Sequence, residues 1–140
     1  MHRVVIDTNV LISGIIQKRG FPFKIVSAWE DGSIILVTSA AMIEEARKVL
    51  EYPKIKEKYT LEEGEIRQTV LNLMRYSVFV DDIPRLDVIK EDPSDNVILA
   101  TAVKGSADYI VSGDAHLLKV NSFRGIRVVT PKDFCRAAGL

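Results

Sequence analysis

Short runs of β-branched and apolar residues alternate with longer helix-compatible segments along the whole chain, and this alternation limits the possible folds. The runs are apolar at consecutive positions, which predicts strands buried on both faces. Five such runs are present, at residues 3–6, 34–37, 78–80, 109–112 and 126–129. Because helices separate the strands, we predict an α/β protein with a central parallel sheet of about five strands in an α/β/α arrangement.

Capping residues mark where several of the predicted helices begin. Ser39 is a typical N-cap for the helix that follows the second strand. Thr60 and Glu63 have the spacing of a capping box. The segment 92–95 precedes a helix predicted over about 96–104. Each helix thus has room to cross back over the sheet between two strands.

Length and composition indicate an ordinary globular protein. The chain has 140 residues, of which 47% are hydrophobic and 27% charged, and it shows no repeat or long linker. We therefore expect a single domain over residues 1–140. No apolar run approaches the roughly 18 residues of a membrane span, and charge appears early at the N-terminus. We expect a cytoplasmic protein with no membrane association.

Cysteine, histidine and net charge exclude several function classes. The only cysteine is Cys135, so no internal disulfide forms, and with two histidines the chain lacks ligands for a structural zinc site. Lys plus Arg (19) equals Asp plus Glu (19). This balance argues against passive, high-affinity nucleic-acid binding and is compatible with an enzyme that touches a few phosphates.

Acidic residues stand where predicted strands end. Asp7 follows the first strand, and Asp114 follows the fourth. Asp95 stands at the start of the helix that leads into the fourth strand. Because the carboxyl ends of parallel strands share one edge of the sheet, we expect these three carboxylates to converge there.

The helix after Ser39 offers a fourth acid, at either Glu44 or Glu45. At roughly 100° per residue, Glu44 lies nearly opposite the apolar face of this helix. Glu45 lies at the border of that face, close enough to lean over the sheet edge. We favour Glu45.

Clustered carboxylates repel one another unless a cation lies among them. An all-oxygen ligand set selects Mg²⁺ or Mn²⁺, and such ions activate water for attack on phosphodiesters. Neutral side chains at the same edge can position water or substrate: Thr8, Asn9, Ser39 and Ser112. Each acid also has an ordinary interpretation: Asp7 and Asp114 as turn residues, Asp95 as a helix cap and Glu45 as a solvated helix residue. The convergence of all four favours catalytic and metal-binding roles for Asp7, Glu45, Asp95 and Asp114.

Four segments in order resemble the motifs of the PIN-domain family. They are Val4-Val5-Ile6-Asp7-Thr8-Asn9-Val10-Leu11, Ser39 through Glu45 to Leu50, Asp92-Pro93-Ser94-Asp95-Asn96, and Ala107 to Asp114. The resemblance extends over nearly the whole chain and is closest to single-domain prokaryotic PIN proteins described as VapC-like toxins. It implies a metal-dependent endoribonuclease that cuts RNA, with an antitoxin protein as partner. Proteins of this kind commonly form homodimers, so we expect one.

Two features leave other interpretations open. Many relatives have a further acid two residues after the Asp of the fourth motif, where this chain has His116. For His116 a surface or capping role is favoured over metal ligation. Asp92 is interpreted as loop structure, with a secondary metal role as the alternative. A catalytically weak or inactive module that binds RNA or protein is therefore the alternative function. An aspartyl-phosphate phosphatase is disfavoured, because Asn9 replaces the second Asp such enzymes use.

Overall fold

The computed structural model describes residues 1–140. One six-stranded sheet runs through the molecule in the order β3-β2-β1-β4-β6-β5. Neighbours are parallel except β5, which is antiparallel to β6. The strands are β1 (Arg3–Ile6), β2 (Ile35–Ser39), β3 (Val78–Val80), β4 (Tyr109–Val111), β5 (Ser122–Phe123) and β6 (Ile126–Val129). The five predicted strands are all present.

Eight helices flank the sheet. They are α1 (Thr8–Ile16), α2 (Phe21–Glu30), α3 (Ala40–Glu51), α4 (Pro53–Lys58), α5 (Glu63–Arg75), α6 (Ser94–Lys104), α7 (Ala115–Val120) and α8 (Pro131–Ala138). None of them has the length and apolar character needed to cross a bilayer.

Two hydrophobic cores lie on opposite faces of the sheet because side chains alternate along each strand. Val4 and Ile6 of β1 enter the core that contains residues of α1, α2, α3, α5 and α8. Val5 enters the other core, which contains residues of α6 and α7. All three are at most 1% exposed. The predicted three-layer α/β/α fold is therefore confirmed.

The strand β5 was not predicted, although a local signal for it exists. Arg124 and Gly125 join it to β6, with φ values of 51° and 81°. A two-residue turn with positive φ at both positions matches the twist of an antiparallel hairpin. The Arg-Gly pair is a weaker sequence signal for that turn than Asn-Gly or Asp-Gly.

The predicted capping box at Thr60 and Glu63 is wrong. Thr60 has a positive φ of 51°, which belongs to a turn after α4. The box lies two residues later, where the Glu65 carboxylate accepts a hydrogen bond of 3.1 Å from the Glu62 N–H. The box is displaced because α4, a short helix that begins at Pro53, was not predicted, and Thr60 belongs to the turn that ends it.

Asn96 fixes the irregular segment between β3 and α6. Its side-chain oxygen accepts hydrogen bonds from the N–H groups of Val88 and Ile89, at 3.0 and 2.9 Å. Its amide nitrogen donates to the Ile89 carbonyl at 2.9 Å. Asn96 is 6% exposed, and two of these bonds satisfy the buried N–H and carbonyl groups of Ile89. They hold the segment against the first turn of α6, next to Asp95.

Candidate metal centre

Asp7 stands between the end of β1 and the start of α1. One carboxylate oxygen caps the helix by accepting a hydrogen bond of 2.9 Å from the Asn9 N–H. The other accepts a short hydrogen bond from the Ser112 hydroxyl. Asp7 is 7% exposed. Its orientation is therefore fixed by two elements that meet at the carboxyl end of the sheet.

Ser112 connects two of the predicted acids. It follows β4 and is fully buried. Its hydroxyl donates to Asp7 and accepts from the N–H of Asp114 at 2.9 Å. This arrangement ties the turn after β4 to the end of β1, so Asp7 and Asp114 are held at the same sheet edge.

Asp114 caps α7. One of its carboxylate oxygens accepts hydrogen bonds from the N–H groups of His116 and Leu117, at 2.8 and 3.1 Å. Asp7 and Asp114, whose ordinary interpretation from the sequence is that of turn residues, are thus both helix caps, and capping does not exclude a further role. A carboxylate has about four lone-pair sites, and capping uses only part of them.

Asp95 is different, because its ordinary interpretation as a helix cap is wrong: it lies inside the first turn of α6 and its side chain caps nothing. The residue whose side chain bonds the start of α6 is Asp92, which accepts hydrogen bonds from the N–H and hydroxyl of Ser94 at 3.1 and 2.6 Å. Asp95 lies in the first turn of α6 and is 6% exposed. Its Oδ2 is buried and has no hydrogen-bond partner. An unpaired buried carboxylate oxygen is costly unless another group compensates it.

The electrostatics of Asp95 reflect this position. Burial, followed by the charges of Asp114, Asp92 and Asp7, raises the pKa of its carboxyl from 3.8 to about 6. A group whose neighbours are mostly negative is stabilised by a bound cation, which reverses the sign of the local field. A strongly perturbed acid in a cleft is also a typical feature of functional sites.

Glu45, rather than Glu44, lines the cleft. Both are exposed residues of α3. Glu44 forms an ion pair with Arg47, and that hydrogen bond lowers the pKa of Glu44. Glu45 lies on the side of α3 that faces the acids. The helical geometry that favoured Glu45 in the sequence thus agrees with its place in the structure.

The acids line one cleft of about 530 Å³ at the carboxyl end of the sheet. Its polar lining consists of Asp7, Thr8, Asn9, Glu45, Asp92, Ser94, Asp95 and Asp114. A second, more open groove of about 450 Å³ also contacts Asp7, Asn9 and Asp114 and continues towards α2 and α7. The acids therefore stand between two adjoining grooves.

Two of the predicted site residues do not line the cleft. Ser112 is one of them, since it is fully buried and hydrogen-bonds Asp7 and Asp114. Ser39 is the other. It is 3% exposed, and its hydroxyl hydrogen-bonds Thr101 of α6 at 2.9 Å. That bond joins the start of α3, which carries Glu45, to the helix that carries Asp95. The position of Ser39 is thus one of support between two helices.

The sequence pattern indicates no role for Asn96, and for His116 it favours a surface or capping role over metal ligation. Asn96 follows Asp95 directly, and a polar side chain in the first turn of an otherwise apolar helix was the available signal. His116 lies with Asp95 and Asp114 in a group whose ligand atoms all lie within 4.8 Å of one another. The spacing of two residues from Asp114 was the signal for His116.

The residues present fit a divalent cation. The donors are carboxylate oxygens with neutral oxygen neighbours, which suits a hard ion such as Mg²⁺ or Mn²⁺. Asp95 supplies a buried oxygen that no protein group satisfies. The cluster of acidic residues can therefore hold a metal.

Comparison with known proteins agrees with the fold and the cleft. The sequence matches the PIN domain over residues 3–116, a range that includes all four predicted acids. An uncharacterized protein of Methanocaldococcus jannaschii is 31% identical over 141 residues, which cover 94% of this chain and 88% of that relative. PIN domains are generally metal-dependent nucleases. The chain belongs to the PIN-domain family.

Proposed function

We propose that this protein is a divalent-metal-dependent endoribonuclease whose active site is the acidic cleft. The observation that carries the proposal is the burial of Asp95 among three other carboxylates, with one oxygen unpaired. A cleft of this charge repels RNA phosphates, so it can accept them only with a cation present. Mg²⁺ or Mn²⁺ is the expected cofactor.

The ion would be held by Asp7, Glu45, Asp95 and Asp114. A divalent cation there would lower the pKa of water and offset negative charge that develops on the phosphate. Ser112 keeps Asp7 and Asp114 in register, and Ser39 fixes α3 against α6. Thr8 and Asn9 line the cleft with neutral groups that can hydrogen-bond water or phosphate oxygens.

The reaction is hydrolysis of an internal phosphodiester. Water adds to phosphorus, the bond from phosphorus to one sugar oxygen breaks, and the proton released by water ends on that oxygen. Cleavage within a strand is supported by the two adjoining grooves, because an RNA strand could extend away from the acids on both sides.

The biological role we propose is that of a toxin whose activity an antitoxin protein restrains in the cytoplasm. This role rests on the resemblance to VapC-like toxins. Exposed apolar side chains at the end of α5 and on the edge strand β3 support a protein partner surface or a homodimer interface. They are Leu71, Met74, Tyr76 and Phe79. Growth arrest on expression of the wild type but not of Asp95→Asn would support the toxin role.

Cleavage of RNA by the purified protein tests the proposed function. A mixed-sequence RNA is incubated with Mn²⁺, with Mg²⁺ or with chelator, and Asp95→Asn protein is assayed in parallel. Glu44→Gln is the matched control, because Glu44 is a neighbouring acid paired with Arg47 outside the cleft. We expect metal-dependent cleavage by the wild type and Glu44→Gln, and at least 100-fold less by Asp95→Asn.

Other outcomes distinguish the alternatives. Equal cleavage by Asp95→Asn and wild type would indicate a contaminating ribonuclease. Metal binding without cleavage of any RNA, including structured RNA, would favour the module that binds RNA or protein without cutting it.

A further inference from the structure

His116 places an imidazole beside two of the acids. It is the second residue of α7, and its backbone N–H donates a hydrogen bond of 2.8 Å to the Asp114 carboxylate. Its ring Nδ1 lies 3.9 Å from the same Asp114 oxygen. The side chain is 46% exposed and makes no hydrogen bond in the structure. Capping of α7 therefore uses the backbone of His116 and leaves its ring available.

The group formed by Asp95, Asp114 and His116 has the spacing of a metal-ligand set. One potential ligand atom from each lies within 4.8 Å of the other two. An independent observation points to a ligand, because Asp95 is 94% buried and its Oδ2 has no partner. The buried side of this group thus lacks a positive partner, while its outer side carries a ring nitrogen.

A nitrogen donor changes which cation such a group prefers. Mg²⁺ favours oxygen ligands and water, whereas imidazole suits transition metals, whose affinities rise from Mn²⁺ onwards along the divalent series. An imidazole at position 116, in place of a carboxylate, therefore weakens the preference for Mg²⁺. It also leaves the site with one negative charge fewer, which reduces the repulsion among its carboxylates.

We propose that His116 is a metal ligand together with Asp95 and Asp114, and that it makes this centre prefer Mn²⁺ to Mg²⁺. The inference rests on the proposed function in requiring a metal in the acidic cleft. It adds a ligand and a metal preference that the four-acid set alone does not contain.

Binding of Mn²⁺ to chelator-treated, metal-free protein tests the proposal without RNA. Calorimetry measures Mn²⁺ and Mg²⁺ affinity, and pulsed electron paramagnetic resonance of bound Mn²⁺ detects a coordinated nitrogen. We expect tighter binding of Mn²⁺ and a nitrogen coupling in the wild type. His116→Ala should lose the coupling and bind Mn²⁺ at least about tenfold more weakly, the lower end of what perturbing a metal site costs.

Two variants make the test specific. His2→Gln is the matched control, because His2 is the only other histidine and contacts Tyr109 and Phe134 at the opposite end of the sheet. It should keep both the nitrogen coupling and the Mn²⁺ affinity. His116→Asp should lose the coupling and shift the preference towards Mg²⁺. Circular dichroism checks that each variant is folded.

The possible results separate this inference from the proposed function. Bound Mn²⁺ without nitrogen coupling in the wild type, or coupling that survives in His116→Ala, would overturn the role of His116 even if RNA is cut. Nitrogen-coupled Mn²⁺ in a protein that cuts no RNA would support His116 and contradict the nuclease. Absence of any Mn²⁺ binding would overturn both.

Discussion

Replacing Asp95 with asparagine should stabilise the metal-free protein, although it removes an acid of the proposed active site. Burial, followed by the charges of Asp114, Asp92 and Asp7, raises the pKa of the Asp95 carboxyl from 3.8 to about 6. The folded state therefore holds this proton more tightly than the unfolded chain, and ionisation of Asp95 costs folding free energy. A shift of about two pKa units corresponds to about 3 kcal/mol, which the uncharged amide avoids.

Urea unfolding in the presence of chelator measures this gain. The cost is absent below the unfolded-state pKa of 3.8 and fully developed above the folded-state pKa of about 6. The advantage of Asp95→Asn should therefore be about 3 kcal/mol at about pH 8 and should shrink towards zero below about pH 4. Added Mn²⁺ should stabilise the wild type and have much less effect on Asp95→Asn.

The exposed neighbour Glu44 again supplies the control. Its pKa is lowered by the hydrogen bond from Arg47, so Glu44→Gln should not stabilise the protein at high pH. If Asp95→Asn is no more stable than the wild type at about pH 8, or if its advantage is the same at every pH, ionisation of Asp95 does not cost folding free energy.

Three further substitutions test the packing around the cleft. Ser112→Ala should lower the free energy of unfolding by about 1–3 kcal/mol in thermal unfolding, because it leaves the polar groups of Asp7 and Asp114 that Ser112 bonds unpaired. It should also weaken Mn²⁺ binding, which calorimetry measures. Asn96→Ala should cost about 2–3 kcal/mol and speed hydrogen exchange at the Val88 amide, and unchanged exchange would show that Asn96 does not hold this segment. Gly14→Ala should destabilise by about 1–3 kcal/mol in urea unfolding, because its Cβ would lie 2.5 Å from the Pro22 carbonyl oxygen of α2, and a stabilised variant would mean that the two helices separate easily.

The fold was predictable because burial on both faces leaves a strong sequence pattern. The run Val4-Val5-Ile6 has no polar position, as expected for a central strand whose side chains enter both cores. The strand β5 was missed because two residues carry no periodicity and Arg124-Gly125 is a weak turn signal. The capping box was misplaced because α4 was missed. A proline such as Pro53 begins a helix at the first position but breaks one in its interior, so it did not by itself indicate α4.

The candidate site was predictable where chain order determines position. Asp7 and Asp114 follow parallel neighbouring strands, so topology alone brings them to one edge. The sequence could not show that Asp92, and not Asp95, bonds the start of α6, because this depends on which carboxylate reaches the Ser94 N–H. Ser39 is the last residue of β2, yet its hydroxyl is bonded to Thr101, a partner 62 residues away that no local pattern reveals.

The chemistry of the cleavage products tests most directly whether the acidic cleft hydrolyses RNA with water. RNA is cut in ¹⁸O-labelled water with Mn²⁺, and the fragments are analysed by mass spectrometry. We expect fragments with one ¹⁸O atom in the terminal phosphate, no 2′,3′-cyclic phosphate, and continued cleavage when the mapped site carries a 2′-deoxynucleotide. Cyclic phosphate ends and a requirement for the 2′-hydroxyl would show attack by the RNA itself, and would contradict a metal-dependent hydrolase built on Asp7, Glu45, Asp95 and Asp114.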